Sequence, residues 1–179
     1  MMTTSVRQAL PQGLRVAPVP LWWRDAIGIA CWATALAVAG LWLSGRGLQG
    51  LTTGTAGALT SVGRLTGLVA ADLLLVQVFL MARVPLIERS YGQDELARRH
   101  RLVGFWSFNL LVAHIVLITL GYTLAEHSDV FHETWTLVTS YGGILLALLG
   151  TLCLVAVTVT SIRVARRKLQ YESWHLLHL

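Results

Sequence analysis

Four long apolar runs constrain the fold of this sequence more than any other feature. They lie at about Ala26–Leu43, Leu65–Val84, Leu102–Tyr122 and Trp135–Ile162. Each is close to the ~20 residues with which an α-helix crosses the ~30 Å hydrocarbon core of a bilayer. A shorter segment that begins to turn apolar, 171–179, follows the last run. The sequence therefore predicts an all-α, polytopic transmembrane helix bundle with four full spans plus the start of a fifth.

The amino-acid composition agrees with residence in a membrane rather than in water. Hydrophobic residues make up 55% of the 179-residue chain and charged residues 13%, whereas about a quarter of the residues in soluble domains are charged. A water-soluble fold of this size could not bury so much apolar surface. Both cysteines, Cys31 and Cys153, fall inside apolar runs without metal-binding spacing, so we interpret them as packed membrane residues.

The N-terminal segment differs from the rest of the chain. Residues 1–24 are polar and are interrupted by Pro11, Pro18 and Pro20. We predict that they form a short cytoplasmic tail and that residues 25–179 form the membrane domain. Tryptophans near both ends of the first run are typical of an aromatic belt at the membrane interfaces. This favours a retained helix over a cleaved signal peptide.

The segments between the apolar runs are predicted to be connections. Residues 44–63 are rich in Gly, Thr and Ser and read as a loop. Residues 87–99 are polar and charged, and residues 126–133 form a short acidic loop.

Basic residues are distributed unevenly among these connections, and this predicts the orientation. The tail, the connection after run two and the segment after run four are rich in basic residues, whereas the connection after run three has acidic residues instead. Lys and Arg accumulate on the cytoplasmic side of membrane proteins. We therefore predict a multi-pass protein of the plasma or inner membrane with a cytoplasmic N-terminus, and nucleic acid is not an expected partner. The basic residues are Arg7, Arg15, Arg24, Arg83, Arg89, Arg98, Arg99, Arg101, Arg163, Arg166, Arg167 and Lys168.

Two histidines in run three are the first candidates for a functional site. His100 lies at the cytoplasmic edge of the run and His114 lies fourteen residues deeper. On a helix this separation is a rise of ~21 Å, and the two rings lie within ~40° of one face. Ionisable residues inside a bilayer are costly, so this face should turn toward the other helices.

A second pair of histidines, His175 and His178, lies one turn apart near the cytoplasmic start of the fifth segment. By topology they are at the depth of His100. Two facing helices with histidines at matching depth can hold a haem iron from both sides, and such an iron has no open site and transfers electrons. The competing interpretation is that His100 is a polar cap or interfacial residue. His127 and His132 are predicted to be solvated in the outer loop.

Between Arg64 and His114 the chain reads RLTGL…ADLLLVQ…MARVP…LARRHRLVG…AH. This stretch resembles the ferric reductase-like transmembrane domain, a family that includes the NADPH oxidases and ferric-chelate reductases. The C-terminal segment KLQYESWHLLH resembles the start of the family's fifth helix. The resemblance covers about residues 60–179, and the first helix shows little of it.

This resemblance implies two b-type haems stacked between helices three and five. His100 would ligate the cytoplasmic-side haem and His114 the outer-side haem. The resemblance assigns His178 as the partner of His100, with His175 as the rival. The second ligand of the fifth helix, the sixth helix and the flavin and NAD(P)H domain of the family lie beyond this sequence. We therefore expect a chain that is incomplete at its C-terminus, with FAD and NAD(P)H on a separate domain or subunit.

Three arginines near His100 are candidate partners of haem propionates. Arg98, Arg99 and Arg101 carry guanidinium groups, which bind carboxylates in bidentate fashion. Topological anchoring explains them equally well. The basic cluster after run four is interpreted as an orientation signal.

The function that the resemblance implies is that of an oxidoreductase component. Electrons would pass singly from a reduced cytoplasmic flavin, through the two haems, to an acceptor outside, such as ferric iron, oxygen or a quinone. One alternative is a di-haem cytochrome b anchoring a separate reductase that exchanges electrons with quinone. Another is a haem-free scaffold or transporter fragment in which the histidines only form hydrogen bonds. No side chain is predicted to act directly on a substrate.

Other polar or small residues in run two have no assigned role. Asp72 and Gln77 lie within the run, where a polar side chain should face the bundle. Gly63 and Gly67 form a GxxxG pattern that could permit close helix contact.

Overall fold

The computed structural model describes residue 20 and residues 22–161, and within them it contains seven α-helices and no β-strand. The helices are α1 (Trp22–Ser44), α2 (Gly47–Thr52), α3 (Gly54–Met81), α4 (Pro85–Tyr91), α5 (Gln93–Glu126), α6 (Val130–Ser140) and α7 (Ile144–Ser161).

Four of these helices, α1, α3, α5 and α7, are long and apolar enough to cross a membrane. Their large apolar side chains point outward; Trp32, for example, is 73% exposed and Leu146 is also 73% exposed. In water this surface would be unfavourable, whereas lipid tails solvate it. The predicted all-α fold with four full spans is confirmed, and the chain is a multi-pass membrane protein. The predicted start of a fifth span lies outside the described residues.

Apart from Leu96, the buried residues of the described chain are small or polar rather than large and apolar. Among the described residues, the buried hydrophobic side chains are Ala70 and Leu96, and Ser61, Ser107 and Glu133 are the buried polar or charged ones. Lipid is as apolar as a leucine side chain, so membrane helices associate by close backbone approach and polar contacts. A few polar contacts between the helices therefore determine how the helices are positioned.

The predicted loop over residues 44–63 is wrong, because this segment forms α2 and the first turns of α3. Ser61 donates its hydroxyl hydrogen to the carbonyl of Gly47 at 2.6 Å. A Cβ added to Gly50 would lie 2.9 Å from the Cβ of Ser61. The glycines that indicated a loop therefore allow α2 to lie close against α3, and tertiary contact outweighs their low helix propensity.

The fourth apolar run, predicted as one helix, is interrupted at residues 141–143, so α6 and α7 are separate helices. Gly143 has a φ of 93°, which most other residues avoid. Helix α7 alone qualifies as the fourth span.

The acidic loop is also shorter than predicted, because α6 begins at Val130. Asp129 caps this helix by accepting hydrogen bonds from the backbone N–H groups of His132 and Phe131. These bonds, that from His132 foremost, lower the pKa of the Asp129 carboxyl.

The connection after run two is helical as well. Pro85 stands in the first turn of α4, where its missing N–H is not needed, and Gly92 with a φ of 80° ends that helix. The remaining residues of the predicted polar connection form the first turns of α5. Helix α1 begins at Trp22, within the predicted tail 1–24.

The chain divides into two compact units. Within the described residues, the first comprises 22–45 and Leu65–Val112, and the second comprises Arg46–Arg64 and 113–161. Helix α1 contacts α4 in the first unit, and α6 contacts α7 in the second. Each unit also contains part of α3 and part of α5, and each contains one of the two candidate histidines of run three.

Candidate functional site

His100, in the first unit, is hydrogen-bonded to the preceding span. Its Nδ1 lies 3.3 Å from the backbone carbonyl oxygen of Gln77 on α3, and its ring is half-buried. A carbonyl oxygen can only accept a hydrogen bond, so this contact requires the hydrogen on Nδ1. In the neutral ring Nε2 then carries a lone pair.

His114, in the second unit, makes the same type of contact. Its Nδ1 lies 2.7 Å from the backbone carbonyl oxygen of Gly63 on α3, and its ring is also half-buried. The tautomer is therefore again Nδ1–H, with the Nε2 lone pair available. In both units the imidazole lies against a neighbouring helix, which confirms that this histidine face turns toward the protein.

The contact of His114 depends on a close approach of α3 and α5 in the second unit. A Cβ added to Gly63 would lie 3.1 Å from the backbone nitrogen of Ile118. One added to Gly121 would lie 3.0 Å from the backbone nitrogen of Thr60. The close contact suggested by the glycine pattern is thus present at Gly63, and it brings the carbonyl within reach of the imidazole.

This arrangement suits a metal ligand. Histidines that bind metals usually donate their other ring N–H to a carbonyl, a carboxylate or water, which sets the tautomer and makes the ligating nitrogen more basic. A neutral imidazole held in this way offers Nε2 to a transition metal such as iron.

The described residues contain no group of three or more His, Cys, Asp or Glu side chains that could hold a metal ion. A haem iron would need fewer side chains than such a group, because histidines alone can hold it from the protein side. The predicted partners on the fifth helix, His175 and His178, lie outside the described residues. The pairing of His178, or of its rival His175, with His100 therefore stays a prediction.

Two of the candidate arginines already have a carboxylate partner. Arg98 and Arg99 each lie 2.7 Å from Glu95, one helical turn earlier on α5. The Arg99 guanidinium also lies 4.6 Å from the ring centroid of Tyr91. Arg101 is exposed and has no ion pair within the described part of the chain. The first two arginines are thus engaged at the protein surface, and the prediction of propionate binding rests most directly on Arg101.

His127, after α5, and His132, in the first turn of α6, are both exposed, as predicted. His127 is in the left-handed region with a φ of 51°. His132 borders a pocket of about 300 Å³. The buried carboxylate in this pocket, Glu133, accepts a hydrogen bond from Ser128 at 3.0 Å.

Sequence reasoning missed the partners of the two histidines. Gln77 stands out in the sequence as a polar residue in an apolar run, but the atom that contacts His100 is its backbone oxygen. Asp72, noticed for the same reason, lies roughly 140° around α3 from Gln77 at ~100° per residue. It is half-buried and lies away from the contact with His100.

Comparison with protein families identifies the family to which this chain belongs. Residues 66–179 match the family described as ferric reductase like transmembrane component. The match covers more than half of the chain and includes both His100 and His114. The chain therefore belongs to the ferric reductase-like transmembrane family, which makes it a membrane component of the oxidoreductase class. Comparison with curated proteins and with solved structures returned no match.

Proposed function

We propose that this chain is the haem-carrying membrane component of a ferric reductase-like oxidoreductase. It would accept electrons from a cytoplasmic flavin and NAD(P)H donor and deliver them to an acceptor on the other side of the membrane. The observation that carries the proposal is the shared contact of the two histidines. Each donates Nδ1–H to an α3 carbonyl, so each presents Nε2 as a ligand.

The two histidines would serve two separate b-type haems. His100 would bind one haem together with His178, or with His175 as the rival, and His114 would bind the other. A bound haem supplies one-electron transfer. The protein's own part is to fix each half-buried imidazole through an α3 carbonyl.

The donor would approach from the side of the basic connection between α3 and α5. This segment is cytoplasmic by the positive-inside rule. It includes the exposed Arg83 and Arg89, and the exposed Arg101 follows on α5. A flavin domain or subunit with an acidic face is the partner that such a surface favours. Arg101 remains the candidate for pairing with a propionate.

The first experiment is a dithionite-reduced minus oxidised visible spectrum of the purified chain, with haem extracted and counted per chain. We expect a b-type spectrum. His100→Ala and His114→Ala should each remove or disorder one haem, because each deletes an axial ligand, while the remaining haem keeps its spectrum.

His132→Ala is a matched control, since it removes an exposed imidazole from the first turn of α6. Its backbone N–H, which bonds Asp129, is retained. We expect the wild-type spectrum and haem count. Unchanged spectra and haem content in both the His100 and His114 variants would refute the ligand assignment. Absence of haem from the wild-type chain would instead favour the haem-free scaffold.

A further inference from the structure

The carbonyl that accepts from His100 lies close to the end of α3. Gln77 is four residues before Met81, the last residue of that helix. Just beyond it, the N–H of Ala82 bonds the Phe79 carbonyl at 3.4 Å, a three-residue spacing that marks the end of the regular helix. Helix ends fray. The position of the Gln77 carbonyl therefore depends on contacts other than the helix alone.

The side chain of Gln77 supplies such a contact. Its Oε1 accepts a hydrogen bond from the Ser107 hydroxyl on α5 at 3.2 Å. Ser107 is only 1% exposed, so this is a buried polar contact in a largely apolar surrounding. A buried polar group left without its partner is costly, so the pair should keep the two helices in register.

Gly104 on α5 has no side chain, and the amide of Gln77 occupies the space beside it. A Cβ at Gly104 would lie 3.1 Å from Oε1 of Gln77 and 3.4 Å from its Cδ. The Ser107 hydroxyl also lies 3.1 Å from the Gly104 carbonyl, which is its alternative acceptor. The amide of Gln77 thus packs against the backbone of α5.

Gln77 therefore makes two different contacts with α5, one through its side-chain amide and one through its backbone carbonyl. His100 and Ser107 are seven residues apart on α5, about two turns and ~20° apart on one face. They contact Gln77 at its carbonyl and at its amide. We propose that Gln77 and Ser107 are positioning residues for His100. The bond between them fixes the carbonyl that sets the tautomer, orientation and basicity of the imidazole.

This inference rests on the proposed function, because its consequence is a property of the haem bound by His100. Weakening the Nδ1–H bond to the carbonyl makes the imidazole a poorer electron donor to iron. The reduced haem is then relatively favoured, so its midpoint potential should rise. Mutation of such outer partners typically lowers metal affinity or activity about 10–100-fold, so haem affinity at His100 should fall by about 10-fold.

The test compares Ser107→Ala, Gln77→Met and the double variant by potentiometric titration and by low-temperature EPR of the oxidised, full chain. The single-histidine variants assign the two haem signals. Both single substitutions should raise the midpoint potential of the His100 haem and shift its EPR signal, and leave the His114 haem unchanged. The double variant should show no larger shift than either single one, because both remove the same contact.

Ser61→Ala is the matched control, since it removes another buried serine hydroxyl from a different contact. It should leave the His100 signal as in the wild type. Suppose that Ser107→Ala and Gln77→Met keep wild-type potentials and EPR signals at normal haem content. This result would overturn the positioning role of Gln77 and Ser107 but not the proposed function. So would equal haem loss at both sites without a shift, which indicates a merely structural role. A wild-type chain without haem would overturn the proposed function and the inference together.

Discussion

At the residue scale, the informative atoms are the two imidazole nitrogens of each candidate histidine. The sequence distinguishes His100 and His114 from the other histidines only by their spacing within an apolar run. The structure adds the orientation of each imidazole ring, because both Nδ1 atoms lie within hydrogen-bonding distance of α3 carbonyls. A histidine that was only an interfacial residue would not need one particular tautomer, whereas a ligand does.

A prediction about the tautomers follows. In the haem-free protein, the neutral form of both His100 and His114 should be the Nδ1–H tautomer, because a carbonyl acceptor holds the hydrogen on that nitrogen. Proton–nitrogen correlation NMR of histidine-labelled protein measures which ring nitrogen is protonated. His127 and His132, which are exposed, should show exchange between tautomers. An Nε2–H tautomer at His100 or His114 would contradict the contact seen for that residue.

At the element scale, small residues decide how closely α3 and α5 approach in the second unit. The backbones come close at Gly63 and Gly121, where an added Cβ would meet backbone atoms of the facing helix. Backbone atoms cannot move aside as a flexible side chain does. The separation of the two helices therefore determines whether the Gly63 carbonyl reaches His114.

Substitution of one of these glycines should thus reduce stability. Gly121→Ala places a Cβ 3.0 Å from the Thr60 nitrogen and 3.3 Å from the Ala56 carbonyl oxygen. We expect a loss of about 1–3 kcal/mol in the free energy of unfolding, as for other overpacked sites. Thermal unfolding in detergent measures it. Gly150→Ala on α7, where nothing lies within 4 Å, should not destabilise the protein. Equal behaviour of the two variants would contradict the close approach.

At the scale of the whole molecule, four apolar helices make the chain a multi-pass membrane protein. Helix α5 has 34 residues, which is ~51 Å at ~1.5 Å per residue. This exceeds a hydrocarbon core of ~30 Å, so its charged first turns extend beyond the core. These turns contain the ion pairs of Glu95 with Arg98 and Arg99.

The proposed cytoplasmic N-terminus predicts the sides on which the two ends of α5 lie. In a chain with Cys31 and Cys153 replaced by alanine, Gln93→Cys should react with a membrane-impermeant thiol reagent only after the cells are permeabilised. Glu126→Cys should react in intact cells. The two positions are the first and last residues of α5. The reverse pattern of labelling would invert the orientation and place the donor surface on the opposite side.

The sequence by itself determined the membrane fold, the four spans within the described residues and the histidine positions, because hydrophobic length and helical periodicity are local properties of the chain. It failed at 44–63 and at 141–143, where glycine indicated a loop in the first case and did not reveal a break in the second. Only the tertiary structure decided the conformation of these two segments. A glycine can either end a helix or allow close packing, and its neighbours determine which of the two occurs. The histidine contacts were decided in the same way. Their acceptors are backbone carbonyls, which every residue possesses, so only the approach of α3 to α5 selects Gln77 and Gly63.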